Sequence, residues 1–261
     1  MIPYKFNQLG VSNNKSIYPE NTSVFKINGN SLTSMNITPV EDCVIDFGDG
    51  TKQTFTGNNS STRVTHSYSE SNIYTIKIIG NHSSFRASTN IIELIQFSNT
   101  ITNCLQMFYS CKSLTTIPET LILGNSVTDC SSMFYECSNL TTIPETFTIP
   151  NSVTNCSRMF NGCSNLTAIP STLTIPNLVT NCSYMFTSCS SLTSNISNIW
   201  PSNWNYTGTI NVKYMFSGCT KVVGTVPADK LWNSGKTFES KYCFNGCTSL
   251  TNYSEIPAGW K

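Results

Sequence analysis

Cysteine has the greatest chemical potential of any residue type in this sequence, since the 261 residues include 12 Cys and only two His. Thiols form disulfides, bind metals or act as nucleophiles. Many of the Cys come in pairs seven positions apart, as Cys104 and Cys111 do. That spacing is about 10 Å along a helix, which is too far for a disulfide or a shared tetrahedral metal within a pair. We therefore expect structural core ladders of buried free thiols, with disulfides between repeats and metal sites as the alternatives. The two ladders are Cys104, Cys130, Cys156 and Cys182, and Cys111, Cys137, Cys163 and Cys189.

The positions of the acidic residues and histidines give little support for a metal site or for acid–base catalysis. Asp46 and Asp49 are weak calcium candidates, because hard cations need several oxygen ligands. The two histidines lie outside any Ser-His or Cys-His arrangement. A glycosidase needs paired carboxylates, but the acidic residues of the repeats are dispersed. We expect no catalytic residue and no cofactor; the dispersed carboxylates are Glu119, Asp129, Glu136 and Glu145.

The four tryptophans all follow residue 199, where the repeats become longer and less regular. A terminal repeat must cover an open hydrophobic end, so we expect the tryptophans to plug the array. The alternative is a ligand-binding patch, because Trp and Tyr offer large rigid contact areas. The candidate ligand-binding residues are Trp200, Trp204, Tyr206, Trp232 and Trp260.

The composition excludes two classes of protein. The net charge is +1, from 15 Lys and Arg against 14 Asp and Glu, and the three arginines are scattered, so no nucleic-acid partner is expected. No apolar run approaches the roughly 20 residues of a membrane helix, so no membrane insertion is expected. Hydrophobic residues make up 39% of the chain, which is enough for a core.

These side chains must be positioned by an internal repeat, seen in VTNCSRMFNGCSNLTAIP at positions 153–170 and marked by the equal spacing of the Cys in each ladder. Cys104, Met107, Phe108 and Cys111 have the i, i+3, i+4, i+7 spacing of one helix face. The preceding Thr-Asn pair predicts an N-cap. A short strand ending in Pro is expected after the second Cys, and two looser copies follow the regular ones.

The repeat motif resembles BspA-type leucine-rich repeats and the related surface-protein repeats of mycoplasmas and gut bacteria. This resemblance implies a leucine-rich-repeat solenoid of about six repeats of roughly 26–30 residues, each with a strand and a short helix, against a period of roughly 20–29 residues in known leucine-rich repeats. Cys104 and its equivalents stand where that family usually has an aliphatic residue. Such repeats imply surface-exposed proteins that bind host proteins or cells, and they also occur in bacteriophage structural proteins.

The sequence of the N-terminal region differs from that of the repeats. The segments DFGDGT and VTHSYSESNIYTIKI, at residues 46–51 and 64–78, resemble a PKD domain, which implies an immunoglobulin-like β-sandwich. Tyr74, Ile76 and Ile78 alternate as on a half-buried strand. We expect an N-terminal arm at residues 1–19, the sandwich at 20–90, and the solenoid at 91–261. The stretch from Ile91 to Phe97 is expected to begin the solenoid and cap its first strand.

A non-enzymatic structural and binding protein is the function expected from this mixed architecture. The N-terminus has no secretory signal, which favours a bacteriophage virion component such as a head fibre, decoration or tail-associated protein, made in the host cytoplasm. A bacterial cell-surface adhesin is the alternative, and a polysaccharide depolymerase is the second alternative. The expected partners are other virion proteins at the N-terminal region and a host-surface protein or glycan at the solenoid, in a multimeric assembly.

Overall fold

The computed structural model describes residues 18–29, 33–87 and 90–261. Nearly all of the arm predicted for residues 1–19 therefore lies outside the described residues. Eight strands come first along the chain: β1 (Thr22–Asn28), β2 (Thr33–Pro39), β3 (Cys43–Asp46), β4 (Lys52–Phe55), β5 (Thr62–His66), β6 (Ile73–Ile79), β7 (His82–Arg86) and β8 (Ile91–Gln96).

These strands form two antiparallel sheets, ordered β4-β3-β6-β1-β8 and β5-β2-β7. Their apolar faces meet, since Phe25 of the first sheet stacks on Phe85 of the second with ring centroids 5.7 Å apart. The strand predicted from Tyr74, Ile76 and Ile78 is confirmed as β6, in which Ile76 and Ile78 are fully buried. The alternation of buried and half-exposed residues is what a sheet with one covered face requires.

The role predicted for residues 91–97 is wrong, because β8 pairs with β1 as an edge strand of the five-stranded sheet. The repeats instead begin against β7 and the residues around it. The amide of Thr102 donates to the carbonyl of Ser83 at 2.9 Å, and the amide of Ala87 donates to the carbonyl of Met107 at 2.7 Å. The first repeat thus covers one edge of the smaller sheet.

The leucine-rich-repeat solenoid of strands and short helices is also wrong. The described residues contain no α-helix, and their regular structure is mostly antiparallel sheet. Each Cys-to-Cys segment is a run of turns, and most neighbouring repeats share isolated parallel bridges such as Thr116↔Thr142. The remaining short elements are β9 (Ile210–Asn211) and β10 (Phe238–Glu239), which pair in parallel, and 3₁₀ turns at Ala228–Lys230, Tyr253–Glu255 and Ala258–Trp260.

Left-handed backbone at two positions of each repeat explains why no helix forms. These residues stand two and six positions after the first Cys, or after Val212 and Ser240, which take its place in the last two repeats. A right-handed helix cannot continue through a positive φ. Gly occupies the second position in three repeats, where it takes this conformation without a Cβ penalty. The residues are Gln106, Ser110, Ser132, Glu136, Arg158, Gly162, Tyr184, Ser188, Tyr214, Gly218, Tyr242 and Gly246.

The turns are arranged so that alternate amides point to the next repeat. In the first repeat, the amides of Cys104, Gln106, Phe108 and Ser110 donate to carbonyls of the second repeat at 2.7–3.0 Å. The amides between them close turns within the repeat, as when Met107 donates to the carbonyl of Cys104 at 3.2 Å. Backbone polar groups are therefore satisfied between repeats, where a helix would satisfy them internally.

A column of stacked phenylalanines forms the centre of the repeats. Successive rings are nearly parallel, with centroids 5.3–6.1 Å apart and interplanar angles of 5–16°. Phe85 of β7 begins the column with an edge contact to Phe108 at 5.8 Å. Trp260 ends it by stacking on Phe244 at 6.2 Å. The column is Phe108, Phe134, Phe160, Phe186, Phe216 and Phe244.

The left-handed turns predict opposite effects for Gly and Ala at two equivalent positions. Ser188→Gly should stabilise the protein by about 0.5–1 kcal/mol, because it removes a Cβ penalty at φ 61°. Gly218→Ala should destabilise it by about 1 kcal/mol through φ alone, since the nearest atom to the new Cβ is 3.6 Å away. Urea unfolding of both variants measures these changes. A helix at this position would reverse both signs, and that outcome would refute the turns.

Candidate functional site

The structure places all twelve cysteines as free, buried thiols. The second ladder continues into the last two repeats as Cys219 and Cys247, and from Cys137 onward each Sγ donates a weak hydrogen bond to the carbonyl of the phenylalanine in the preceding repeat. An aliphatic side chain at this position has no donor, so it would leave the carbonyl without this hydrogen bond. The contact therefore explains why Cys stands here. The five contacts measure 3.0–3.2 Å and run from Cys137, Cys163, Cys189, Cys219 and Cys247 to Phe108, Phe134, Phe160, Phe186 and Phe216.

Burial makes these thiols poor ligands and poor nucleophiles. Desolvation raises the pKa of Cys182 to about 12. It also raises the pKa of Cys137 to about 12, against a smaller lowering by the backbone at Cys111. Since the thiolate is the reactive and metal-binding form, both groups stay protonated at neutral pH. Among the described residues, no group of three or more His, Cys, Asp or Glu is placed to hold a metal ion.

The two calcium candidates are held in a turn by hydrogen bonds within the chain. Asp46 accepts the amide of Gly48 at 3.0 Å, and its other oxygen lies 3.4 Å from Nζ of Lys52. Asp49 accepts from the amide and hydroxyl of Thr51 and contacts Nε2 of His66 at 2.7 Å. Desolvation acts to raise the pKa of Asp49, but the hydrogen bonds from Thr51 and His66 outweigh it and lower the pKa to about 2. These contacts leave both carboxylates occupied in shaping the turn.

The five candidate ligand-binding aromatics are placed differently from one another. Trp200, Trp204 and Trp260 are buried, with 2%, 2% and 7% of their surface exposed. Trp232 is half-buried against Trp260, with ring centroids 5.6 Å apart. Only Tyr206 of this set is exposed, at 41%. The ligand-binding interpretation stays a prediction, and the burial of three tryptophans is what a packing role requires.

A different set of aromatic residues lies on the outer surface of the turns, and we call it the tyrosine stripe. Tyr109 and Tyr135 stack with centroids 4.6 Å apart, and Tyr184 and Tyr214 stack at 4.8 Å. Tyr242 continues the second pair at 5.2 Å in a tilted arrangement. The stripe consists of Tyr109, Tyr135, Tyr184, Tyr214 and Tyr242.

Three cations lie against the rings of the stripe. The guanidinium groups of Arg86 and Arg158 lie 4.9 Å from the ring centroids of Tyr109 and Tyr184, respectively. Nζ of Lys241 lies 5.0 Å from the ring of Tyr242. Arg158 also acts across the gap between the two stacked pairs. Burial and the neighbouring Glu136 raise the pKa of Tyr135, whereas Arg158 acts to lower it. The cations and rings thus form two stacked groups, and Arg158 of the second group lies near enough to Tyr135 to act on its charge.

The turn geometry determines where the stripe lies. Within each turn, the first Cys, the Met, the Phe and the second Cys point into the core. The residues two and five positions after the first Cys consequently face outward. Tyr109 and Tyr135 occupy the second of these positions, and Tyr184 occupies the first. Tyr214 and Tyr242 also occupy the first, in the two repeats that lack the first Cys. At about 4.8 Å per repeat, the series from Arg86 to Tyr242 extends over roughly 25–30 Å.

The sequence interpretation missed the stripe. The available signal was the recurrence of Tyr at one position of consecutive repeats, first in Tyr109 and Tyr135 and then in Tyr184 and Tyr214. The stripe presents ring edges, hydroxyls and cations, because most ring faces are covered by a neighbouring ring or cation. Such a surface suits hydrogen bonding and contact with an extended partner.

Away from the stripe, the buried His82 predicts that stability depends on pH. Its Nδ1 contacts the carbonyl of Gly80 at 2.8 Å, and its Nε2 lies 2.9 Å from Oγ of Ser23. Burial lowers its pKa to about 4, against the hydrogen bond to Gly80 that acts to raise it. Below pH 6.5 the unfolded chain binds a proton that the folded chain does not. Stability should therefore fall by about 3 kcal/mol between pH 6.5 and pH 4.

Urea unfolding at several pH values measures this loss. His82→Gln should flatten the dependence between pH 6.5 and pH 4, whereas His66→Gln should keep most of it. Equal slopes in the wild type and in His82→Gln would show that another group causes the loss.

No significant match was found among curated proteins or among solved structures. Nothing in the comparisons supports the PKD resemblance or a bacteriophage origin. In the part of the chain that the structure describes, no helix has the length and apolar character needed to span a membrane.

One family model matches the chain twice, at residues 50–173 and 128–256. The two matches together run from residue 50 to residue 256, which is more than half of the chain. The resemblance to the mycoplasma surface repeats is thereby confirmed at the level of the family. This chain belongs to the family described as "Mycoplasma protein of unknown function, DUF285".

Proposed function

We propose that the protein is a non-catalytic binding protein that attaches to a host surface through the tyrosine stripe. The observation that carries this proposal is the set of five tyrosines, stacked or tilted against one another, with three cations against their rings, on the outer surface of the turns. Tyr and Arg are enriched in the energetic centres of binding interfaces relative to the rest of a protein surface.

The composition of the stripe supports this proposal. The chain has three arginines, and two of them, Arg86 and Arg158, lie on the rings of the stripe. Tyrosine offers a rigid contact surface with few rotatable bonds, so it loses little entropy on binding. The repeats hold the rings in register, which further reduces the entropy lost when a partner is bound.

The proposed partner is a host-surface glycan or protein that lies along the stripe. A partner that contacts several equivalent rungs gains affinity from many weak contacts, as does an assembly that displays several copies of the chain. The virion component and the bacterial adhesin both remain predictions from the sequence, since the stripe would support attachment by either kind of protein. The depolymerase alternative also remains a prediction.

Substitution of the first stacked pair tests the proposal. Tyr109→Asn together with Tyr135→Asn should reduce binding at least about tenfold, since two of the five aromatic contacts of the stripe are lost. Asn already stands at the equivalent position in Asn161 and Asn245, so the turn accepts the change. Binding is measured with the full chain on an array of neutral and acidic glycans and on immobilised mucin. Thermal unfolding serves as the check on folding.

Tyr206→Asn is the matched control, because Tyr206 is an exposed tyrosine outside the stripe. It should leave binding within about twofold of the wild type. A loss with Tyr206→Asn, and none with the double variant, would move the site to the irregular C-terminal repeats. Absence of binding by the wild type on every probe would refute attachment to glycans and mucin.

A further inference from the structure

An open cleft of about 310 Å³ lies where the outer face of the smaller sheet meets the first repeat. Asn36 of β2 and Arg86 of β7 are paired in register and line it from the sheet. Asn103, Leu105 and Gln106 line it from the first turn of the repeats. This volume is at the lower end of the range for small-molecule sites, so the cleft suits one small group.

The hydrogen bonds within the cleft leave it rich in donors. Oδ1 of Asn103 accepts the amide of Leu105 at 2.8 Å, and Oε1 of Gln106 accepts from Nη1 of Arg86 at 2.9 Å. Each of these oxygens already accepts one hydrogen bond, and the NH₂ groups of Asn103 and Gln106 add donors for a ligand. Nδ2 of Asn36 donates to Oγ of Ser61 at 3.4 Å and has a second N–H to offer. A cleft lined by donors selects a ligand with many acceptor oxygens.

Arg86 gives this cleft a positive charge. None of the described residues that line the cleft is acidic. The contact with Gln106 and the ring of Tyr109 together fix the plane of the guanidinium. A guanidinium has five N–H donors in a planar fork, so one bond to Gln106 leaves donors for a carboxylate.

The remaining surface of the cleft points to a sugar. Oγ of Ser84 donates to Oγ1 of Thr38 at 2.9 Å, which leaves the Thr38 hydroxyl proton to be donated elsewhere. Leu105 is 48% exposed and offers an apolar surface beside the donors. Hydroxyl and amide groups next to a small apolar surface match a sugar ring, whose edges are polar and whose faces carry C–H groups.

We propose that this cleft binds a carboxylated sugar, with the carboxylate on Arg86 and the ring hydroxyls on Asn36, Asn103 and Gln106. The inference rests on the proposed function, because Arg86 is also the first cation of the tyrosine stripe. It narrows the ligand class to an acidic glycan whose charged residue sits in the cleft while the neighbouring residues follow the stripe.

Titration of the full chain with small sugars, followed by NMR chemical shifts, tests the cleft apart from the stripe. Sodium glucuronate should bind saturably, and glucose, which has a hydroxymethyl group in place of the carboxylate, should bind at least about tenfold more weakly. Acetate supplies the carboxylate alone and should also bind at least about tenfold more weakly. Equal binding of glucose would refute carboxylate recognition, and equal binding of acetate would reduce the cleft to a simple anion site.

Arg86→Gln and Arg158→Gln form a matched pair of variants. Both remove an arginine that lies 4.9 Å from a tyrosine ring, but only Arg86 lines the cleft. Glucuronate affinity should fall about tenfold or more in Arg86→Gln and stay within about twofold in Arg158→Gln. Equal losses in both variants would assign the effect to general charge and overturn the proposal.

Asn103→Asp gives a second test that preserves the turn, because Asp129 at the equivalent position accepts its own turn amide at 2.7 Å. The change replaces an NH₂ donor with a carboxylate oxygen, so glucuronate binding should be lost. Asn155→Asp is the control, since it also places a carboxylate beside Asp129 but lies outside the cleft. Retention of glucuronate binding in Asn103→Asp would overturn the proposal.

The two proposals fail in different ways. If glucuronate does not bind the wild type but Tyr109→Asn with Tyr135→Asn still abolishes glycan or mucin binding, the cleft inference fails alone. If glucuronate binds through Arg86 but the double variant binds glycans and mucin normally, the stripe fails and the inference loses its link to attachment.

Discussion

The structure depends on hydrogen bonds between backbone groups of neighbouring repeats. Alternate amides of each turn donate to the next repeat, from Cys104 to Asp129 and from Phe108 to Met133, at 2.8–2.9 Å. This exchange requires left-handed residues in every turn, and each repeat needs a neighbour to accept its donors. The ends are therefore special: β7 supplies partners to the first repeat, and the carbonyl of Trp260 accepts the amide of Phe244 in the last.

The same constraint determines what the protein presents to its surroundings. With Cys, Met and Phe directed into the core, the outward positions of each turn fall in line along the repeats. Tyrosines and cations on this outer surface form the two stacked groups of the stripe, and the junction with β7 adds the cleft around Arg86. A repeat that must be regular inside can thus carry variable chemistry outside, which is the arrangement a binding protein needs.

The sequence predicted the repeat period, the strand at β6 and the membership of a mycoplasma repeat family, because these follow from spacing and alternation. The helix was wrong because Cys104, Met107, Phe108 and Cys111 have the spacing of a helix face, and turns that pack the same residues inward share it. Gly162, Gly218 and Gly246 held the contrary signal. The cleft was beyond prediction, since Asn36 and Asn103 are brought together by the contact between sheet and repeats.

The central claim is that every repeat packs against its neighbours, and that packing buries the cysteines of the repeats. A count of accessible thiols tests this claim most directly. In the native protein, a thiol reagent should modify none of the twelve cysteines, since they are buried and their pKa values are raised wherever a shift is resolved. After denaturation without reductant, all twelve should react. Fewer than twelve reactive thiols after denaturation would reveal disulfides between repeats. Rapid modification of the native protein would show that the thiols are accessible to solvent. Either result would contradict the structure.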